Sequence, residues 1–237
     1  AEMIVEQGKL FALAGNDAVN GARASAVCLS ITDGSLIWRH DIVAGESFAW
    51  RFSRYSQSSN AIYYATQSSH VVALSKVDGS VVWDSPNAAY NPPVNIGVWQ
   101  GSPTYRNGII YVGAGINPVT PGMQVDGSVV ALDASNGNLL WSKILPRPNS
   151  STGYVNWQTL NDNVLQAQLV PTLDGLIVEP GSCVALMDSS GNLIWEKAPT
   201  VNGGLNNYDW PPLLRNGMIY GVNSGNGNYF CYSFATP

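Results

Sequence analysis

Two histidines, three cysteines and eight tryptophans are the residues of this 237-residue chain whose types invite chemistry. His40 and His70 stand apart, and neither has the spacing to another ligand that zinc needs or the partners of a nucleophilic triad. Cys28, Cys183 and Cys231 fall on expected strands of different units and read as small buried hydrophobes. An odd count cannot be fully paired, so no disulfide framework is implied. The pairs Asp33-Gly34, Asp78-Gly79, Asp126-Gly127 and Asp174-Gly175 are turn residues first. A calcium loop needs several acidic ligands within about twelve residues, and no stretch supplies them. No metal site is expected, and no catalytic residue.

The tryptophans carry more. Trp38, Trp83, Trp141 and Trp195 recur at one position of a repeat. The other four, Trp50, Trp99, Trp157 and Trp210, fall between one unit's last strand and the next unit's first pair. Polar and aromatic residues flank them: Arg51, Arg54, Gln100, Tyr154, Gln158, Asn207, Tyr208 and Asp209. An indole face beside amide and carboxylate groups suits a sugar, another polar small molecule or a protein side chain, the ring giving apolar area and the polar groups orientation. The expected ligand residues are Trp50, Trp99, Trp157, Tyr208, Asp209 and Trp210. Further packing between units is the alternative role for the same indoles.

Such residues need strands to position them, and a repeat supplies these. Val129–Trp141 reads VVALDASNGNLLW: two apolar runs joined across an Asn-Gly step, the pattern of a hairpin with a tight turn. Val71–Trp83, Cys183–Trp195 and Ala26–Trp38 repeat it, each with Gly four residues before Trp. The tryptophan spacings of 45, 58 and 54 residues exceed a helical solenoid unit and fit four short strands with turns. A second hairpin recurs upstream, as in Tyr105–Gly113 (YRNGIIYVG) and Leu214–Val222 (LRNGMIYGV). Four strands per unit, repeated radially, make an all-β propeller of four-stranded antiparallel blades.

The pattern Ala-x-Asp-x-x-x-Gly-x-x-x-Trp at Ala131–Trp141, preceded by Asn107–Gly113, resembles the blade repeat of the pyrroloquinoline-quinone-type propellers. That superfamily holds quinoprotein alcohol dehydrogenases and non-catalytic members such as the outer-membrane assembly lipoprotein. The motif is full in the third repeat, lacks the Asp in the second and fourth, and has Cys28 in place of Ala in the first. The resemblance implies that Trp38, Trp83, Trp141 and Trp195 dock between neighbouring blades. For a dehydrogenase it would also imply a quinone held by adjacent cysteines and a calcium ion held by Glu, Asn and Asp. This chain has no adjacent cysteine pair, and Asp209 in Asn-Tyr-Asp-Trp is the one acid near the expected axis.

Single-domain organisation follows, with blades at about 1–42, 47–85, 101–144, 165–197 and an incomplete 210–237. Three strands are expected in the last, and three accounts of it stay open: a piece of a propeller of seven or eight blades, closure with five, or an open edge that invites association. Charged residues are 11% of the chain and the net charge is −5, so no basic stripe exists for nucleic acid. No apolar run nears the ~20 residues of a membrane helix. Few lysines and a sequon at Asn149 point to a secreted protein. The expected function is a non-catalytic propeller binding a carbohydrate, another polar small molecule or a protein partner at a Trp-lined face, with no cofactor. A PQQ- and Ca²⁺-dependent sugar or alcohol dehydrogenase and a self-associating scaffold are the alternatives.

Overall fold

The computed structural model describes residues 3–14, 24–42, 56–66, 70–85, 103–115, 127–144, 170–171, 176–178, 184–197, 213–223 and 228–233. Their regular structure is all strand, in five antiparallel sheets. Sheet one holds β1 (Met3–Glu6), β2 (Lys9–Ala14), β3 (Ser25–Ser30) and β4 (Leu36–Asp41) in that order. Sheet two holds β5 (Ser56–Gln57), β6 (Ala61–Ala65), β7 (Val71–Ser75) and β8 (Val81–Ser85). Sheet three holds β9 (Thr104–Arg106), β10 (Ile109–Gly115), β11 (Gly127–Asp133) and β12 (Leu139–Ile144). Sheet four holds β13 (Val170–Pro171), β14 (Leu176–Val178), β15 (Val184–Met187) and β16 (Leu193–Lys197). Sheet five has three strands, β17 (Leu213–Arg215), β18 (Met218–Asn223) and β19 (Asn228–Ser233). This is a β-propeller built of meander blades.

The strand sequences follow from where each strand sits. A middle strand flanked by sheets on both faces is apolar throughout, as in β6 (AIYYA), all five residues of which are buried. The last strand of each unit buries far less. In β8 (VVWDS) Trp83 is buried while Val81 and Val82 stay exposed. A register shift beside the residue opposite each tryptophan, at Cys28/Leu29, Ala73/Leu74, Ala131/Leu132 and Leu186/Met187, lets two consecutive apolar residues precede the indole.

Turn chemistry divides between the two hairpins differently from the sequence expectation. The two-residue turns with both residues at positive φ join first to second strands: Gln7-Gly8 (48° and 78°), Asn107-Gly108 (48° and 81°) and Asn216-Gly217 (50° and 71°). The Asn136-Gly137 step is no tight turn, since Gly137 alone has positive φ. It lies in a longer loop closed by the Gly137 N–H donating to Asp133 O at 2.8 Å, and Gly34 and Gly79 close theirs on Ser30 and Ser75. The fourth repeat is one residue tighter, Gly191 N donating to Asp188 O. Trp195 therefore pairs with Leu186, not with Ala185, and Asp188 does the work of Asp133. The aspartate missing from the gapless repeat is thus present, shifted by one position.

Sheets one and two, two and three, and three and four meet across Trp38, Trp83 and Trp141. A Cβ built on Gly79 would stand 2.6 Å from Cε3 of Trp38, one on Gly137 2.6 Å from Cε3 of Trp83, and one on Gly191 2.8 Å from Cε3 of Trp141. The same indoles donate Nε1–H to Lys76 O (3.2 Å), Ala134 O (2.9 Å) and Ser189 O (2.9 Å). Phe11, Tyr63 and Tyr111 lie beside Trp38, Trp83 and Trp141 with ring centroids about 6 Å apart. Each core cluster accordingly spans a junction and not the inside of one sheet: Phe11, Cys28 and Trp38 meet Ile62, Val72 and Leu74, and Tyr63, Ala73 and Trp83 meet Ile110, Val130 and Leu132. Trp195 is half-buried, and the segment after β19 lies outside the described residues.

Gly34 shares this backbone geometry, with φ 74° against 73° at Gly79, yet has nothing within 4 Å of a Cβ. Alanine at either site carries the left-handed penalty of about 1–2 kcal/mol. Gly79→Ala must also displace the Trp38 indole, an overpacking cost of about 1–3 kcal/mol. Urea denaturation should therefore show Gly79→Ala losing more stability than Gly34→Ala by about that second amount. Equal losses would mean that the glycine is there for its dihedral alone.

Candidate functional site

The first strands of sheets two to five each follow one of the tryptophan-bearing segments. Trp50 precedes β5, Trp99 precedes β9, Trp157 precedes β13 and Trp210 precedes β17. Strand β9 lies against β5 on one side and β13 on the other, although the three belong to different sheets. These short innermost strands gather at a hub. The expected ligand residues Trp50, Trp99, Trp157, Tyr208, Asp209 and Trp210 themselves lie outside the described residues. On β5, next to the hub, Gln57 Oε1 is buried and accepts no hydrogen bond among the described residues. A buried acceptor without a donor costs about 1–3 kcal/mol, so this position invites a donor.

The titratable groups sort into structural roles. Asp33, Asp78, Asp133 and Asp188 sit in the third-to-fourth-strand turns, where serine or asparagine donors hold their carboxyls below the ordinary value of 3.8. Asp133 Oδ1, for example, accepts the Ser135 backbone N–H at 2.8 Å and its hydroxyl at 2.6 Å. Burial pushes the Tyr63 and Tyr111 phenols up, and likewise the Cys28 thiol, which takes it away from nucleophile chemistry. His70 Nδ1 meets Asp84 Oδ1 at 2.8 Å, tying the start of β7 to β8. Half-buried His40, on β4, is held below its ordinary 6.5 by desolvation, with Asp41 pulling the other way.

Two polar clasps across junctions carried no signal in the sequence. Lys76 is buried, its ammonium paired with Glu6 of sheet one and lying 5.9 Å from the Phe11 ring centre. Lys76 occupies the turn position that Ala134 and Ser189 fill in later repeats, where a lysine in isolation reads as a solvated charge. Ser85 Oγ donates to Gly137 O at 2.9 Å, and Tyr63 OH reaches Ser58 Oγ while its ring stacks on Tyr105, centroids 5.8 Å apart and planes 10° apart.

The described residues supply no adjacent cysteine pair of the kind that the dehydrogenase resemblance implies for the quinone. Cys28 lies buried in the first junction and Cys231 is exposed on sheet five, while Cys183 falls outside the described residues. No two cysteines are adjacent in the chain. Among the described residues no three His, Cys, Asp or Glu side chains converge to hold a cation, and no helix is long and apolar enough to cross a membrane.

A sequence profile described as the outer membrane protein assembly factor BamB matches residues 22–209. No curated protein matches the chain. Among solved structures, BamB from Moraxella catarrhalis superposes with a TM-score of 0.60 at 13% identity, covering 98% of this chain and 60% of that one. Quinohemoprotein alcohol dehydrogenase from Comamonas testosteroni gives 0.65 at 14% identity, with coverage of 99% and 42%. Sqt1 from Saccharomyces cerevisiae gives 0.59 at 11%, with 94% and 58%. The chain thus spans 42–60% of the length of these neighbours. At such identity the likeness establishes the fold.

The depressed His40 value links stability to pH. An unfolded chain takes up a proton below 6.5 that the folded ring resists, so folding stability should fall as pH drops through that value. The turn aspartates add a separate loss only as pH falls below about 4, where the unfolded carboxyls protonate first. Urea midpoints at pH 7.5, 6 and 5 should decline for the native chain and flatten in His40→Gln. An equal decline in both would place the responsible group elsewhere.

Proposed function

The chain belongs to the family described as outer membrane protein assembly factor BamB, and on that premise we propose that it is a non-catalytic binding propeller whose ligand is a protein partner. The proposed contact groups are the indoles of Trp50, Trp99, Trp157 and Trp210, the Tyr208 phenol and the Asp209 carboxylate, which precede first strands in the sequence. The observation that carries this reading is the gathering of β5, β9 and β13 side by side, each entered from a tryptophan-bearing segment. Residues far apart in sequence then serve one surface. Tryptophan and tyrosine are the side chains that most often dominate protein interfaces, because large rigid area is buried at small entropic cost. The buried Gln57 acceptor beside the hub supports a ligand that brings N–H or O–H donors. A carbohydrate would satisfy the same chemistry and remains the competing occupant. An extracellular location accords with the Asn149 sequon.

Structural likeness to a quinohemoprotein alcohol dehydrogenase favours the second reading, a quinone-dependent oxidoreductase, against which stands the cysteine arrangement. A photo-crosslinking amino acid placed at Trp50, Trp99 or Trp210 should yield discrete protein adducts in the native setting, and one at the exposed outer-strand residue Val82 should not. Adducts at Val82 alone would refute the hub face. Tryptophan quenching by sugars without protein adducts would transfer the site to carbohydrate, and alcohol oxidation after loading with quinone and Ca²⁺ would overturn the non-catalytic reading.

A further inference from the structure

Sheets one and two meet at a seam whose inner end is polar, where the next seam is aromatic. Strand register sets the equivalences. Ile4 pairs with Phe11 on sheet one as Ser56 pairs with Tyr63 on sheet two, so Glu6 holds the place of Ser58. Gln57 pairs with Ile62 as Tyr105 pairs with Ile110, so Gln57 holds the place of Tyr105. Lys76 holds the turn position of Ala134, each carbonyl accepting the indole N–H of the preceding sheet.

Rings fill the second seam. Tyr63 stacks on Tyr105, and its hydroxyl reaches Ser58 Oγ at 3.1 Å. The first seam has Phe11, without a hydroxyl, and a glutamine at the Tyr105 position. It also takes in a cation: the Lys76 side chain, 9% exposed, carries its ammonium to the Glu6 carboxylate and to 5.9 Å from the Phe11 ring centre. The Lys76 main-chain N–H donates to Asn60 O, in the turn that follows Gln57, so both residues belong to one end of sheet two. Both face sheet one, since Ile62, opposite Gln57, packs in the cluster that holds Phe11 and Trp38.

A carboxylate, an aromatic face and an amide oxygen are the elements that hold a guanidinium. The carboxylate takes two N–H groups of the planar fork, the ring takes the cation's face, and the amide takes a further N–H. Lys76 satisfies this set incompletely. Its ammonium, tethered to the hairpin, hydrogen-bonds Glu6 Oε2 and leaves the buried Gln57 Oε1 without a donor. That standing cost is removed by a cation with more N–H donors. The neighbouring Val77 is 75% exposed, so the turn lies at the surface and rotation of the lysine side chain carries its ammonium into water.

We propose that Glu6, Phe11 and Gln57 form a receptor for an arginine side chain of a protein partner, with Lys76 as the resident competitor that the arginine displaces. The occupant rests on the reading of the chain as a protein-binding propeller; the receptor itself does not.

Titration with methylguanidinium, followed by calorimetry and by the Gln57 side-chain amide signal in ¹⁵N spectra, tests this, with circular dichroism to confirm that each variant folds. The native chain should bind saturably, and tetramethylammonium, a cation without N–H, should not bind. Lys76→Ala gives sheet two the residue that sheet three carries as Ala134, and it should bind more tightly because the competitor is gone. Lys76→Ser, after Ser189, replaces it should it not fold. In the Lys76→Ala background Glu6→Gln should abolish binding, and Gln57→Leu should weaken it about tenfold, the worth of one hydrogen bond to a charged group. N-acetylarginine amide should compete with methylguanidinium. Binding by Lys76→Ala but not by the native chain would make Lys76 a fixed clasp and overturn the proposal. No binding by Lys76→Ala, or binding unchanged by Gln57→Leu, would overturn it as well. Methylguanidinium bound without competition from the blocked arginine would overturn the protein occupant. None of these outcomes alters the adducts expected at the hub tryptophans, so failure here is distinct from failure of the hub face.

Discussion

An indole lying flat on a glycine of the next sheet is the constraint on which this structure depends. Each complete sheet has four short strands, too few to bury a core alone. Apolar residues on both faces of the middle strands can be covered only by neighbouring sheets. Burying one tryptophan removes on the order of 150–250 Å² from water, an upper estimate of about 4–6 kcal/mol before the entropy of ordering is set against it. That area is gained only if the ring reaches the neighbouring backbone, and a side chain on Gly79 or Gly137 would hold it off by occupying the same space. The indole N–H then finds a main-chain carbonyl in the same turn, so the polar end of the ring is satisfied as its face is buried.

Around this shared device each junction is dressed differently. The first adds the Lys76–Glu6 pair, which joins sheets one and two through side chains distant in sequence. The second adds the Ser85 hydroxyl on Gly137 O and the stack of Tyr63 on Tyr105. The third carries the Lys143 stem against the Gly191 turn. Unequal seams of this sort favour one order of units over permuted ones, since a charged clasp built for one turn finds no partner in another. The inner strands are left short, with β9 in contact with β5 and β13.

Fold was legible because its signals are local and repeated. The glycine four residues before tryptophan, the apolar runs and the turn residues each recur, so chance matches at one unit are outvoted by the others. The patterns at Val71–Trp83 and Leu214–Val222 fall within a residue or two of the hairpins β7–β8 and β17–β18. What escaped detection was geometry that a gapless alignment cannot carry. The fourth turn is one residue tighter, which hid Asp188 behind the apparent loss of an aspartate. Asn136-Gly137 looked like a two-residue turn because its composition matches one, whereas the left-handed pair belongs to Asn107-Gly108. The Lys76–Glu6 contact joins residues from separate sheets, and nothing in either neighbourhood announces the other. The proposed contact residues are the least legible part. Trp50, Trp99, Trp157 and Trp210 follow no fixed spacing from the next turn, and Tyr208 and Asp209 have no repeat to be judged against.

Family membership and structural likeness establish the propeller, and function must still be argued from the chain's own side chains. The hub reading presupposes sheets held in order by the tryptophan seam. A double-mutant cycle on Trp83 and Gly137 addresses that seam most directly. If the indole and the glycine are made for each other, Gly137→Ala should cost several kcal/mol in the native background and only the left-handed penalty of about 1–2 kcal/mol in Trp83→Leu. Costs that add to within about 0.5 kcal/mol would contradict the account, because the ring and the turn would then contribute independently.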